Sequence, residues 1–86
     1  TNAAEIFKSQ SENQVEQEKA ALDSAIRSID DEILAVDRSI RDLTRRKGEA
    51  KDAKEEESLD FRITIYRNKI KRLQMDRESL RTAARG

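Results

Sequence analysis

Apolar residues recur along two long stretches of this chain at alternating intervals of four and three residues. In the first half the series is Leu22, Ile26, Ile29, Ile33, Val36, Ile40 and Leu43. In the second half it is Leu59, Ile63, Tyr66, Ile70, Leu73, Leu80 and Ala84, with the charged Arg77 at one position of the series. This spacing is the heptad pattern of helices that bury one narrow stripe against a partner helix. It predicts an all-α fold, with Val15 extending the first stripe by one heptad.

The segment RRKGEAKDAKEEES, residues 45–58, separates the two series and contains no Leu, Ile, Val, Phe, Tyr or Met. The stripe resumes at Leu59 two residues out of phase, a shift that a single three- or four-residue insertion in a continuous coiled coil does not produce. Basic residues before Gly48 and acidic residues after it are typical of a helix end followed by a helix start. Gly48 is expected to be the left-handed residue that ends the first helix. We therefore predict that the chain turns back on itself here.

Facing residues of such a hairpin have position numbers with a constant sum, and Leu43 with Leu59 and Val36 with Tyr66 both give 102. This register also brings opposite charges together: Asp37 near Arg67, Asp23 near Arg81, Glu32 near Lys69, and Arg46 near Glu55. Flanking charges choose the register of a coiled coil. The predicted fold is an antiparallel two-helix coiled-coil hairpin about 45 Å long, with dimerisation into a four-helix bundle as an option.

The predicted domain covers residues 1–86 as a single unit. The first helix ends at about residue 47, the turn covers about 48–53, and the second helix covers about 54–84. Residues 1–17 have no facing residue in this register and form an overhanging amino-terminal arm. Because the chain starts at Thr1 rather than Met, we expect a processed protein or a piece of a larger one.

Composition argues against catalysis. Charged residues make up 42% of the chain and aromatic residues only 3%, which is typical of a coiled coil. The chain has no Cys and no His, so thiol nucleophiles and the usual zinc ligands are missing. We predict no enzyme, no catalytic residue, no metal and no cofactor, since a two-helix layer has no water-excluding pocket. The sequence has no run of about 20 apolar residues, the length needed to cross a membrane, so we predict no membrane span. The location is left open, with the cytoplasm favoured.

Charge is unevenly distributed, with a net of −5 over residues 1–43 and +6 over residues 61–86. The basic second helix could bind nucleic acid or complement the acidic first helix. We favour the second interpretation, because Arg62, Arg67, Lys69 and Arg81 flank the stripe and have acidic residues near them in the chosen register. That leaves Lys71, Arg72 and Arg85 pointing outward, without the aromatic residues on which bases stack.

Several apolar residues lie outside the stripe and are candidates for binding a partner. They are Phe61, Ile65 and Met75 on the second helix, Leu34 on the first, and Ile6 and Phe7 on the arm. Arg77 is the one charged residue in the stripe, and its head is expected to reach an acid such as Asp30. A lone polar residue there is a candidate for fixing register or oligomeric state.

The function predicted from these features is a non-catalytic protein-interaction or assembly module, with a partner protein or a second copy in a homodimer as its target. One alternative is a nucleic-acid-binding arm that uses the basic helix, which would bind oligonucleotides in a strongly salt-dependent way. The other is a structural spacer excised from a larger coiled-coil protein.

Overall fold

The structure, a computed structural model, describes residues 2–86 and consists of two α-helices. Helix α1 covers Ala3–Gly48 and helix α2 covers Ala53–Arg85. No residue from 2 to 86 is in a strand. The molecule is a thin rod that measures 77 × 16 × 13 Å. The prediction of an all-helical chain is confirmed for the described residues; Thr1, the first residue of the predicted arm, lies outside them.

Both helices begin at a side-chain cap. The amide N–H of Glu5 donates to the Asn2 side-chain oxygen at 2.9 Å, and that of Glu55 donates to the Asp52 carboxylate at 2.7 Å. The Glu55 carboxylate also accepts from the Lys51 N–H at 3.3 Å. These bonds satisfy amide donors that have no partner within the helix. Asp52 and Glu55 thus set the start of α2.

The connection between the helices is only four residues long, from Glu49 to Asp52. The N–H of Glu49 donates to the Arg46 carbonyl and that of Ala50 to the Lys47 carbonyl, both at 3.1 Å. The expectation of a left-handed Gly48 is wrong, since no glycine has a positive φ within residues 2–86. These bonds join residues three apart, as in a 3₁₀ turn, and they satisfy the Arg46 and Lys47 carbonyls at the end of α1. A left-handed residue is therefore not required there.

The two helices pack on each other along the predicted stripe, and the packing is tightest next to the turn. Leu43, Leu59 and Ile63 form a buried cluster, and Ile40 and Tyr66 pack against it. Leu43 is the most buried of the three, with 2% of its surface exposed. Residues that are far apart in the chain therefore meet as the hairpin predicts, because two apolar stripes shield each other from water.

The helices differ in length, and the difference forms an overhang. Helix α1 has 46 residues and α2 has 33, so α1 is 13 residues longer, about 20 Å at 1.5 Å per residue. Every side chain from residue 2 to residue 21 is exposed, and Leu22 is the first that is partly covered. We call residues 3–18 the arm. Neither α1 nor α2 has a stretch long and apolar enough to cross a membrane.

Candidate interaction surfaces

Three ion pairs connect the helices across the stripe. The Lys47 ammonium lies 2.7 Å from the Asp60 carboxylate near the turn. Lys69 lies 3.2 Å from Glu32 in the middle of the hairpin. Arg77 donates to Asp30 at 2.8 Å towards the open end. All three pairs are partly exposed, so they favour one alignment of the helices more than they add stability.

Arg77 lies where the sequence predicts it, in the stripe and with its guanidinium on Asp30. Its side chain is 26% exposed, so the aliphatic stem is largely covered while the head reaches the edge of the interface. A charged residue at such a position is less stabilising than leucine but penalises alignments that leave it without its acid. The geometry is compatible with the predicted role of Arg77 in fixing the register.

Of the four charge pairs that the register brings close, only Glu32–Lys69 forms an ion pair in the part of the chain that the structure describes. Asp37 instead pairs with Arg41 at 3.0 Å, and Arg46 approaches Asp42 at 3.9 Å. Both are contacts four residues apart on one helix, where partners are already close and need no alignment of two helices. Among residues 2–86, the basic residues of α2 that pair directly with α1 are therefore Lys69 and Arg77.

The segment from residue 61 to 75, here called the basic segment, contains five basic residues and no acidic residue. Only Lys69 has an ion-pair partner among residues 2–86. The four basic residues without one are Arg62, Arg67, Lys71 and Arg72. The excess positive charge of α2 is evident from the sequence. The sequence did not show that Asp37 and Asp42 of α1 pair within their own helix, which leaves most of this charge without an ion-pair partner.

The same segment exposes the three apolar side chains that were singled out on α2. Phe61 is 68% exposed, Ile65 49% and Met75 70%. Each lies two residues from a buried stripe residue, Ile63 or Leu73, which turns it about 200° away from α1. Met75 shares a shallow concavity with Lys69 and Arg72, and Ile65 shares another with Arg62. Apolar and basic groups are therefore interleaved on the outer side of α2.

The apolar candidates on α1 do not join that surface. Leu34 is 56% exposed, and its neighbours three and four residues away are all charged. Ile6 and Phe7 are exposed on the arm, and Val15 is exposed as well because α2 ends before it. The structure thus separates the candidates into an α2 group, an isolated Leu34 and an arm group.

Within residues 2–86 two pKa values shift clearly, and both belong to basic residues near the turn. The hydrogen bond from Lys47 to Asp60, helped by the charge of that carboxylate, raises the pKa of Lys47. The hydrogen bond from Arg45 to Asp42, together with the charge of Glu49, raises the pKa of Arg45. In both cases the carboxylate stabilises the protonated form. These groups stay charged and act as fixed positive charges at the turn.

Acidic residues are adjacent in the sequence at positions 30–32 and 55–57, and some of them have partners in the structure. Asp30 and Glu32 pair with basic residues of α2, and the Glu55 carboxylate accepts a hydrogen bond from the Lys51 N–H just before α2 begins. Within residues 2–86 no three acidic side chains converge as they would around a metal ion. Comparisons with protein-family models, with curated proteins and with solved structures find no match to this chain.

Proposed function

We propose that this chain is a non-catalytic interaction or assembly module, built on a coiled-coil hairpin that presents the outer side of α2 to a partner. The observation that carries the proposal is the exposure of Phe61, Ile65 and Met75 on the side of α2 that α1 does not cover. Single exposed apolar residues are normal on a protein surface, but Phe61 and Ile65 are neighbours on consecutive helical turns of a very polar rod. Covering them requires a second surface.

The thinness of the hairpin core supports the same proposal. Only Val36, Leu43, Leu59, Ile63 and Leu73 are buried among the described residues. Two-helix layers of this kind gain stability when a further layer covers them. A partner on the outer side of α2 would shield the exposed apolar groups and thicken the core at the same time.

The antiparallel coiled-coil arrangement is part of this proposal and has its own test. Cysteines introduced at Val36 and Tyr66 should form a disulfide within one chain, because the register places these positions opposite each other. The product should migrate as a monomer under denaturing, non-reducing conditions. Cross-linking only between chains would instead indicate a parallel association of long helices.

The test of the proposed surface is the double substitution Phe61→Ser and Ile65→Ser. The variant should remain helical by circular dichroism, since neither side chain is in the stripe, but should lose self-association or capture of its natural partner. Leu34→Ser is the matched control, because it removes an equally exposed apolar side chain with no apolar neighbour. Unchanged mass and partner capture in the double variant would refute the proposal.

A nucleic-acid-binding arm is the second candidate, and the uncompensated charge of the basic segment favours it. Phosphate contacts from Arg62, Arg67, Lys71 and Arg72 would give binding whose logarithm falls linearly with the logarithm of the salt concentration. Fluorescence anisotropy with a labelled oligonucleotide at several salt concentrations tests it. Absence of binding at low salt would remove this candidate.

A further inference from the structure

We infer that the occupant of the outer side of α2 is the acidic arm of a second copy of this chain, in a dimer in which the two copies exchange arms. The inference rests on the proposed function, to which it adds the identity of the partner. It places residues 3–18 of each copy along the basic segment, residues 61–75, of the other copy. Both segments lie in the described part of the chain, where the arm is exposed throughout and the basic segment is exposed on the side away from α1.

Charge is the first argument. The arm contains four acidic residues, Glu5, Glu12, Glu16 and Glu18, and one basic residue, Lys8. None of these five side chains forms an ion pair within residues 2–86, and the basic segment is similarly uncompensated except at Lys69. Complementary surfaces that find no partner within their own molecule attract each other between molecules. The net charges, −3 and +5, have opposite signs.

Length and apolar content are the second argument. The arm has 16 residues and the basic segment 15, about 24 Å and 22 Å of helix. The arm exposes Ile6, Phe7 and Val15, and the basic segment exposes Phe61, Ile65 and Met75. Around the arm helix, Ile6 and Val15 lie about 180° apart, and Glu12 and Glu16 lie between them on the side away from Phe7. Docked through this acidic face, the arm places Ile6 and Val15 at the edges of its contact with the apolar side chains of the basic segment.

The rod geometry lets both arms dock at once. Along α1 the arm lies about 45–68 Å from the turn, whereas along α2 the basic segment lies about 12–33 Å from it. Two copies that lie side by side, point in opposite directions and have their turns about 79 Å apart bring each arm beside the basic segment of the other copy. The arm and the segment then run in the same direction, and the copies overlap as four helices at the centre.

This arrangement has two-fold symmetry and closes on itself. Each interface is used twice and no arm remains free to recruit a third copy. The dimer would be about 80 Å long, close to the 77 Å of a single chain. Dimers that paired arm with arm, end to end, would instead be longer than about 110 Å. The maximum dimension from small-angle X-ray scattering therefore distinguishes the two forms.

The decisive experiment exchanges the charges and measures dimerisation of the full chain by sedimentation equilibrium. One variant carries Glu12→Lys and Glu16→Lys in the arm, a second carries Lys71→Glu and Arg72→Glu in the basic segment, and a third carries all four. Each pair alone should weaken the dimer about tenfold, and the fourfold variant should recover most of that loss. Circular dichroism checks that all variants remain helical.

The matched control carries Asp23→Lys and Asp31→Lys, which reverse two exposed acidic residues of α1 outside the arm. Its dimerisation should change less than threefold, and raised salt should weaken the wild-type dimer. A chain that stays monomeric up to about 1 mM would overturn the inference. Failure of the fourfold variant to recover would overturn it as well.

Failure of this inference can be told apart from failure of the proposed function. If Phe61→Ser with Ile65→Ser abolishes association or partner capture while the arm variant has no effect, the outer side of α2 binds something other than the arm. If neither variant changes association or partner capture, both proposals are wrong. An arm variant that weakens the dimer as much as the Phe61 and Ile65 variant supports both.

Discussion

The half of the molecule next to the turn and the amino-terminal arm have the same backbone conformation for different reasons. Next to the turn, helix is held by a buried cluster around Leu43, by the Asp52 cap and by the Lys47–Asp60 ion pair. The arm buries no side chain, and its side-chain hydrogen bonds are the Asn2 cap at its start and an exposed Gln14–Glu18 contact at 3.5 Å. An isolated helix of about 16 residues is marginal in water. We therefore expect a bound partner to stabilise the helical conformation of the arm more than that of the helices next to the turn.

The largest expected effect comes from removing side-chain volume next to the turn. Leu43→Ala should lower the free energy of unfolding by about 2–4 kcal/mol, since Leu43 is 2% exposed and packs against α2. Val15→Ala in the arm should change it by less than about 0.5 kcal/mol. Urea unfolding of dilute protein, followed by circular dichroism, gives both values. Equal effects of the two substitutions would contradict the contrast between the regions.

The open end of the hairpin, between these regions, has a charged residue in its stripe. Arg77→Leu should raise the free energy of unfolding by about 1 kcal/mol, because an apolar side chain would face Ile26 and no charge would be partly buried. The same change should make the oligomeric state less uniform, which sedimentation velocity detects. Asp30→Asn is the companion variant, and it should destabilise the hairpin by leaving Arg77 without its carboxylate. A less stable Arg77→Leu variant would show that the ion pair contributes more than the apolar contact.

A smaller gain is expected where α1 meets the turn. Gly48 has helical rather than left-handed backbone geometry, and a Cβ built there would meet no atom within 4 Å. Gly48→Ala should therefore raise the free energy of unfolding by about 0.4–1 kcal/mol, mainly by restricting the unfolded chain. Thermal unfolding measures the gain. Destabilisation by alanine would mean that the turn needs the left-handed conformation after all.

Much of this fold could be predicted because heptad spacing constrains a chain strongly. The phase shift between Leu43 and Leu59 excludes one continuous coiled coil, and the structure covers the stripe residues at least partly, except for Val15. The register left the first residues of the chain without a facing residue on the second helix, and this led to the prediction of an overhanging arm. The conformation of Gly48 could not be predicted, because two ways of ending a helix satisfy its last carbonyls equally well.

Ion pairs were predicted poorly for a physical reason. Asp37 and Arg46 have partners four residues away as well as partners across the hairpin, and exposed pairs differ by too little energy for the sequence to decide. The Lys47–Asp60 pair was not predicted either, because it too is an exposed pair whose energy differs little from that of other pairings. Exposure of Phe61, Ile65 and Met75 could be predicted from the helical period. What covers them could not, because a partner leaves no periodic signal in the chain.

The smallest expected effect is a pH dependence confined to the turn. The Asp60 carboxylate raises the pKa of Lys47 in the folded chain, so folding is favoured while that lysine is protonated. This stabilisation is fully present below the pKa of a lysine in an unfolded chain, about 10.4, and is lost as pH rises through the higher folded value. Lys47→Arg keeps the charge in this range, so its stability should decline less between about pH 9.5 and 11.5 than that of the wild type. Backbone carbonyl ¹³C chemical shifts can locate the loss, which should appear at the ends of the helices beside the turn and not in the arm, where no such pair exists. An equal alkaline decline in the two proteins would show that Lys47 contributes nothing to the difference between the regions.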